Sequence, residues 1–314
     1  MGLQKLGMAA VLLTAAWGMN VQAAEPESCG KVRFSDVGWT DITATTALAS
    51  TVLKALGYEP KAEVLSVPVT YTSLKNKDID VFLGNWMPTM KADIEPYLAD
   101  KSVESLGVNL EGAKYTLAVP KYLQEKGLKT FADIAKFKDD LKGEIYGIEP
   151  GNDGNRLIQG MIDKDTFGLK DFKLVESSEQ GMLAQVERAT KRNEGVIFLG
   201  WEPHPMNAKF PLAYLEGGDD VFGPNLGGAT IYTNVRTGYV GECPNAGKFI
   251  SNLKFTLAME NEVMGAILDD KKEPNDAAAA WLKKNPDVLK GWLDGVTTKD
   301  GGDAMEAVKK ALEL

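Results

Sequence analysis

Short apolar strands alternate with helical segments along most of the chain, and this alternation restricts the fold more than any other feature. Strands are predicted over 31–35, 62–67, 80–83, 115–119, 144–148, 173–175, 195–199, 212–215 and 229–233. Helices are predicted over 42–56, 71–76, 155–163 and 180–191, and they dominate beyond residue 246. Such alternation is typical of parallel sheets with helices on both faces, so we predict an α/β fold. The length of 314 residues corresponds to about two domains.

The first 23 residues have the pattern of a cleaved secretory signal peptide. Lys5 supplies a positive charge, an apolar segment follows over 6–19, and Val21-Gln22-Ala23 is a small-x-Ala cleavage motif. The apolar segment is shorter than the roughly 20 residues that span a bilayer, which disfavours a membrane anchor. We therefore predict cleavage after Ala23 or Ala24 and a mature protein in the periplasm.

Cys29 and Cys243 are the two cysteines of the chain. Two cysteines in an exported protein are more often paired than free, so a disulfide is expected, with two separate buried thiols as the alternative. Pairing would bring the mature N-terminus beside residue 243. One lobe would then be built from both ends of the chain.

Two segments of the sequence are similar to each other and end in the same residue types. Val81-Phe-Leu-Gly-Asn-Trp-Met-Pro88 and Ile197-Phe-Leu-Gly-Trp-Glu-Pro203 each consist of an apolar strand followed by Gly, Trp and Pro. Trp39 also follows a strand closely. In open α/β sheets the ligand crevice lies beyond the carboxyl ends of the strands. We therefore predict that Trp39, Trp86 and Trp201 face one crevice, together with Tyr115 at the start of a crossing strand.

These four aromatic side chains are of the kind that forms a cage around a quaternary ammonium group. Such a cation has no N–H to donate, and the electron-rich faces of aromatic rings attract it. Large apolar faces in a crevice are costly unless something covers them, which favours a ligand. The alternative is that the aromatic side chains belong to the core.

Polar candidates lie next to the aromatic ones. Asp41 follows Trp39 at the start of a helix, and its alternative role is a helix N-cap. Asn152 lies in the glycine-rich turn over 151–155, between a strand and a helix. That turn either presents Asn152 to a ligand oxygen or is an ordinary turn with a cap. It lacks the spacings of phosphate-binding loops.

Composition argues against several other classes of function. The net charge of −9 and the absence of a long basic run disfavour nucleic-acid binding. His204, the single histidine, lies between two prolines, and we predict it to be a surface or turn residue. The sequence contains no nucleophile elbow, HExxH motif or metal-spaced cluster, so we expect no enzymatic activity, no metal and no cofactor.

The mature chain resembles the substrate-binding proteins of quaternary-amine ABC importers, and within that family it is most similar to the periplasmic choline-binding proteins. The resemblance covers essentially the whole mature chain. It rests on five segments: Asp36-Val-Gly-Trp-Thr-Asp41, Phe82-Leu-Gly-Asn-Trp-Met-Pro88, Gly112-Ala-Lys-Tyr115, Ile148-Glu-Pro-Gly-Asn-Asp-Gly154 and Phe198-Leu-Gly-Trp-Glu-Pro203.

The resemblance implies a type II periplasmic-binding-protein fold, in which two doubly wound α/β lobes joined by two crossover strands close over a ligand. Lobe 1 would comprise 24–111 and 212–314, and lobe 2 would comprise 112–211. Cys29 and Cys243 match the family's disulfide pair. The family's ligand-binding positions correspond to Trp39, Trp86, Tyr115 and Trp201 around the trimethylammonium group, and to Asp41 and Asn152 at the hydroxyl end.

The resemblance further implies a monomer that captures choline and delivers it to the permease of an ABC importer. An ionised Asp41 would accept a hydrogen bond from the choline hydroxyl and repel the carboxylate of glycine betaine. If Asp41 faces elsewhere, glycine betaine, carnitine or acetylcholine becomes the alternative ligand. An enzyme acting on a choline compound is the alternative from a different class.

Overall fold

The computed structural model describes residues 25–314, so the predicted signal peptide over 1–23 lies outside the described residues. The described part of the chain contains nine strands: β1 (Lys31–Asp36), β2 (Glu59–Val64), β3 (Val81–Met87), β4 (Val103–Pro120), β5 (Glu144–Tyr146), β6 (Lys173–Val175), β7 (Phe198–Glu202), β8 (Leu212–Tyr214) and β9 (Gly228–Arg236).

The helices of residues 25–314 are mostly short and become dominant towards the C-terminus, as predicted. The α-helices are α1 (Thr40–Ala55), α2 (Val67–Lys75), α3 (Lys91–Ala99), α4 (Lys121–Glu125), α5 (Asp153–Asp163), α6 (Glu179–Arg192), α7 (Met206–Lys209), α8 (Asp219–Phe222), α9 (Pro224–Gly227), α10 (Tyr239–Glu242), α11 (Pro244–Asn252), α12 (Leu257–Leu268), α13 (Pro274–Lys284), α14 (Val288–Trp292) and α15 (Ala304–Leu312). Three 3-10 helices cover Glu27–Gly30, Phe131–Phe137 and Thr166–Gly168.

The strands form one continuous sheet in the order β2-β1-β3-β9-β4-β7-β5-β6, and β8 pairs with β4. The pairs β1–β2, β1–β3, β5–β6 and β5–β7 are parallel, as the strand–helix alternation predicts. The pairs that involve β9 or β4 are antiparallel, so the sheet as a whole is mixed. Two parallel groups of strands are therefore joined by an antiparallel middle.

Each parallel group is the centre of one lobe. Lobe 1 is built around β2, β1 and β3, and its helix α1 packs against α12 and α13. Lobe 2 is built around β7, β5 and β6, with α5 packed on β6. The strand β4 pairs with β9 over Val103–Lys114 and with β7 over Lys114–Ala118, so a single strand runs from one lobe into the other.

The predicted lobe boundaries at 111 and 211 stay a prediction. The strand β8 pairs with residues 118–120, at the lobe 2 end of β4. Phe222 packs on Phe131 with ring centroids 5.9 Å apart. Both contacts tie residues 212–222 to lobe 2, so they favour a second boundary after Phe222.

The disulfide between Cys29 and Cys243 is confirmed. It joins the 3-10 helix before β1 to the start of α11, with the two Cα atoms 5.5 Å apart. The start of the described residues therefore lies beside residue 243 in lobe 1, as the pairing predicts. No helix of residues 25–314 is long and apolar enough to cross a bilayer.

Candidate functional site

Three of the predicted site residues lie where elements of lobe 1 begin or end. Trp39 is the N-cap of α1, shortly after β1 ends, and Asp41 is the second residue of that helix. Trp86 is the penultimate residue of β3. A Cβ on Gly84 would lie 2.5 Å from Cδ1 of Ile42, so glycine allows α1 to pack closely against β3. This close packing brings the start of α1 next to Trp86.

The other three predicted residues lie at equivalent places in lobe 2. Tyr115 of β4 pairs directly with Trp201 of β7. Asn152 is the N-cap of α5, which follows β5. The similarity between the segments around Trp86 and Trp201 is structural as well, since each tryptophan is the next-to-last residue of its strand and a proline follows each strand.

All six predicted residues line one cavity between the lobes, with Ile148 and Asp153 as further lining residues. The cavity encloses about 240 Å³ of space not filled by protein atoms. Each predicted residue is at most 6% exposed, so the site is closed to bulk solvent. A buried space lined by these side chains suits a small ligand.

The ring of Tyr115 lies edge-on to the rings of Trp86 and Trp201. The ring centroids of Trp86 and Tyr115 are 6.0 Å apart at an interplanar angle of 60°. Those of Tyr115 and Trp201 are 6.4 Å apart at 80°. Rings set at such angles form different walls of a space, which is the geometry of a cage. The indole Nε1 atoms of Trp39 and Trp201 are buried and have no protein partner.

Asp41 has one carboxylate oxygen occupied and one without a partner. Nε1 of Trp86 donates to Oδ2 at 3.2 Å, while Oδ1 is buried without a hydrogen bond. Burial raises the pKa of Asp41 to about 8, and the charge of Glu179 adds to the rise. The alternative role of Asp41 as N-cap is wrong, because Trp39 occupies the cap position and makes no side-chain cap hydrogen bond.

Asn152 caps α5, and it also lines the cavity. Its Oδ1 accepts from the backbone N–H of Asn155 at 3.0 Å, which caps α5. The same atom accepts from the hydroxyl of Tyr115 at 2.8 Å. Its Nδ2 donates to Asp153 at 3.1 Å. One N–H of the amide is left for another acceptor.

Asp153 is a lining residue that was not among the predicted ones. It is 1% exposed, and its Oδ2 has no hydrogen-bond partner. Burial raises the pKa of Asp153 to about 6. The glycine-rich turn that pointed to Asn152 already contained this residue, so the motif was the available signal. The cavity therefore holds two carboxyl groups, Asp41 from lobe 1 and Asp153 from lobe 2.

His204 is buried, so it is not a surface residue, although it lies in the short turn between β7 and α7, as the other part of its prediction states. It is 2% exposed, and its Nδ1 accepts from the backbone N–H of Met206 at 2.9 Å. Its ring lies edge-on to Trp201, with centroids 4.7 Å apart. The histidine thus supports one wall of the cavity from behind.

The cavity is chemically suited to a small monovalent cation. Aromatic faces attract a cation that carries methyl groups instead of N–H donors. When the carboxyl groups of Asp41 and Asp153 are ionised, their unpartnered oxygens add negative charge and accept hydrogen bonds. A ligand with an ammonium centre and one short polar arm would satisfy both parts of the site.

Known proteins resemble this chain along most of its length. Residues 30–284 match the family described as the substrate-binding domain of ABC-type glycine betaine transport systems. The glycine betaine/carnitine transport binding protein GbuC of Listeria monocytogenes is 31% identical over 165 residues. That match spans 52% of this chain and 54% of GbuC, about half of each.

Two solved structures are similar over nearly the whole chain. An ABC-transporter choline-binding protein in complex with choline is 69% identical, with a TM-score of 0.91. The same kind of protein in an unliganded semi-closed conformation is 69% identical, with a TM-score of 0.85. Each match covers 92% of this chain and 100% of the solved one. The predicted two-lobed fold is confirmed. This chain belongs to the family of substrate-binding proteins of ABC-type glycine betaine transporters, whose members bind solutes and are not enzymes.

Proposed function

We propose that this protein captures choline in the cavity between its lobes. The trimethylammonium group would lie against Trp39, Trp86, Tyr115 and Trp201. The observation that carries the proposal is the convergence of these four aromatic side chains on one closed cavity that also contains buried carboxyl groups. The 69% identity to a protein whose structure contains choline supports the same ligand.

The polar arm of choline has partners at the other end of the cavity. Oδ1 of Asp41 lacks a hydrogen bond and would accept from the choline hydroxyl. The remaining N–H of Asn152 would donate to the oxygen of that hydroxyl. A single hydroxyl can serve as donor and acceptor at once, so it fits between these two side chains.

Glycine betaine fits this arrangement less well, because it carries a carboxylate where choline has a hydroxyl. At ~4 Å and an effective dielectric constant of 20, two like charges repel by about 4 kcal/mol. The cavity has carboxyl groups from both lobes, Asp41 and Asp153, near that position. The same repulsion applies to the carboxylate of carnitine, while acetylcholine has an ester in place of the hydroxyl. Glycine betaine, carnitine and acetylcholine are the alternative ligands, in the same role.

Delivery to an ABC importer follows from the family. The lobes would be apart in the empty protein, and a ligand that contacts both would stabilise the closed form. A permease would receive choline from the closed form, which acts as a monomer. The disulfide fits an oxidising compartment, and the predicted signal peptide would place the protein in the periplasm.

Calorimetric titration of the purified protein with four ligands tests this proposal. We expect choline to bind most tightly, followed by acetylcholine, with glycine betaine and carnitine much weaker. Tetramethylammonium, which has the cation without the polar arm, measures the contribution of the aromatic cage alone. Tighter binding of glycine betaine than of choline would contradict the proposed ligand and leave the family role intact.

A further inference from the structure

The carboxylate of Glu179 lies outside the cavity but joins the two lobes. It belongs to the first turn of α6 in lobe 2 and is completely buried. Its Oε2 accepts from the backbone N–H of Thr40 at 2.7 Å, and its Oε1 accepts from the Thr40 hydroxyl at 2.7 Å. Thr40 is the first residue of α1 in lobe 1. A side chain of one lobe therefore satisfies the N-terminus of a helix in the other.

This contact replaces a cap that α1 lacks. The first N–H groups of a helix have no partner within the helix. The N-cap residue Trp39 has no oxygen in its side chain and makes no cap hydrogen bond. A negative charge at this end is also favoured by the helix dipole. Glu179 supplies both the missing hydrogen-bond acceptor and the negative charge. It can do so only while the two lobes are in contact.

His204 holds the same carboxylate from within lobe 2. Its Nδ1 accepts from the backbone of Met206, so the proton of the neutral ring lies on Nε2. Nε2 is 3.1 Å from Oε1 of Glu179 and therefore donates to it. The edge of the His204 ring also packs against Trp201.

One carboxylate is thus linked to two of the three tryptophan walls of the cavity. On one side it binds Thr40, the neighbour of Trp39 in the chain. On the other side it binds His204, which packs on Trp201. The groups that face it from the surrounding elements include the acids Asp36, Asp41 and Glu149. The three hydrogen bonds from Thr40 and His204 stabilise the Glu179 carboxylate among these acidic neighbours.

We infer that Glu179 is a positioning residue for closure: by capping α1 from across the cleft, it sets the spacing between Trp39 and Trp201 without contacting the ligand. The inference rests on the proposed function, since it requires a ligand that binds between the lobes. Loss of the contact lowers the population of the closed form, and the apparent affinity for any ligand falls by the same factor.

The substitution Glu179→Gln tests this role because it keeps the shape of the side chain. A glutamine NH2 group cannot accept from Thr40 or His204, so at least one donor is left facing another donor. We expect choline to bind about 10- to 100-fold more weakly, with the affinities for choline and glycine betaine reduced by the same factor. Thr40→Val, which removes only the hydroxyl donor, should weaken choline binding several-fold.

The melting temperature separates positioning from a general structural role. The contact between Glu179 and Thr40 forms when the lobes close, so the ligand-free protein should melt within roughly 2 °C of the wild type. The rise in melting temperature on adding choline should be smaller in the variant. Glu187→Gln, the same change later in the same helix, is the matched control. It should change neither the ligand-free melting temperature nor its rise on adding choline.

Two results would overturn the inference. The first is a Glu179→Gln protein that keeps wild-type choline affinity. The second is a ligand-free melting temperature that falls as far as that of the choline-bound protein, which would make Glu179 a folding residue. The wild-type titration tests the proposed function separately. If the wild type prefers glycine betaine, the affinities of Glu179→Gln and the wild type are compared for glycine betaine instead. That comparison still tests the role of Glu179.

Discussion

The indole N–H of Trp86 donates to Oδ2 of Asp41 at 3.2 Å, so an aromatic wall of the cavity and a carboxylate are held as one unit. The bond uses one carboxylate oxygen and leaves Oδ1 without a partner. It also fixes the orientation of the indole ring, because a side chain from another element anchors its polar edge. Cation recognition and hydroxyl recognition are therefore coupled through this pair.

The substitution Asp41→Asn should change the affinities for choline and glycine betaine differently. We expect weaker choline binding, because hydrogen bonds to a charged acceptor contribute about 1.5–3 kcal/mol. Glycine betaine should bind no worse, since a negative charge near its carboxylate is removed. The asparagine oxygen can still accept from Trp86, so the fold should be retained. Calorimetric titration of both ligands into both proteins measures the effect, and an unchanged choline-to-betaine ratio would contradict the role of Asp41.

Choline affinity should depend on pH, although the charge of choline does not. In the closed form the pKa of Asp41 is raised to about 8 by burial, and a cation bound beside it favours the ionised form and lowers that pKa. Binding of choline in the closed form therefore requires the loss of a proton from Asp41 below pH 8. We expect affinity to rise with pH, by up to about tenfold per unit, and to level off above pH 8.

Titrations from pH 6 to 9 check this expectation, with Asp41→Asn as the control. The variant should lose the slope between pH 7 and 8. A slope that remains at lower pH would come from Glu149 and Asp153, whose pKa values burial raises to about 7 and about 6. A wild-type affinity that is flat across this range would contradict the prediction.

Removal of one wall of the cage should weaken binding without unfolding the protein. We expect Trp86→Ala and Trp201→Ala to reduce choline affinity tenfold to several hundredfold. A cation–π contact contributes about 0.5–2 kcal/mol, and lost packing adds to this. Trp281→Ala is the control, because Trp281 lies on α13 and does not line the cavity. Circular dichroism confirms the fold, and wild-type affinity in a folded variant would remove that residue from the cage.

Gly154 and Gly160 on α5 form a matched pair for testing the position of Tyr115. A Cβ on Gly154 would lie 2.1 Å from the Tyr115 hydroxyl, whereas one on Gly160 would meet nothing within 4 Å. We expect Gly154→Ala to displace Tyr115, break its bond to Asn152 and cost about 1–3 kcal/mol in choline binding. Gly160→Ala should leave affinity unchanged and stabilise the helix by up to about 1 kcal/mol. Equal choline affinities of the two variants would contradict the need for Tyr115 at this position in choline binding.

Reduction of the disulfide should affect stability much more than binding. Cys29 and Cys243 are both in lobe 1 and do not line the cavity. We expect dithiothreitol to lower the melting temperature while choline affinity stays within about twofold, since the cross-link acts mainly on the unfolded chain. Two free thiols titrated in the native, unreduced protein would contradict the pairing.

The sequence was sufficient to predict the residues at the ends of strands. Trp86 and Trp201 lie at the ends of strongly apolar segments, and Asn152 lies in a glycine-rich turn after a strand. The order of the strands brings such positions to one edge. The full length of β4 was harder to predict from the sequence. Its first part contains Glu104, Gly107 and Gly112 and pairs with several shifts of register, so it lacks the alternation that marks a strand. The prediction covered only its regular part, over 115–119.

Glu179 and His204 show what the sequence could not reveal. A glutamate after Ser178 in the first turn of a helix is a common solvent-exposed arrangement, and a histidine between prolines is typical of a surface turn. Both are buried because the two lobes meet over them. Contacts between segments that are 139 residues apart, such as Glu179 and Thr40, depend on how the lobes are placed and leave no local pattern.

The pairing of β4 with β9 restricts how the lobes can move. The chain leaves lobe 1 and returns to it through two adjacent antiparallel strands, which hydrogen bonds hold at a fixed spacing. A ribbon of this kind bends and twists readily, but one strand cannot slide along the other without breaking those bonds. The lobes can therefore hinge and twist about this ribbon but cannot slide along it. A solute that touches either wall meets a partner wall that approaches by rotation about the same ribbon, so capture does not require the lobes to slide past each other.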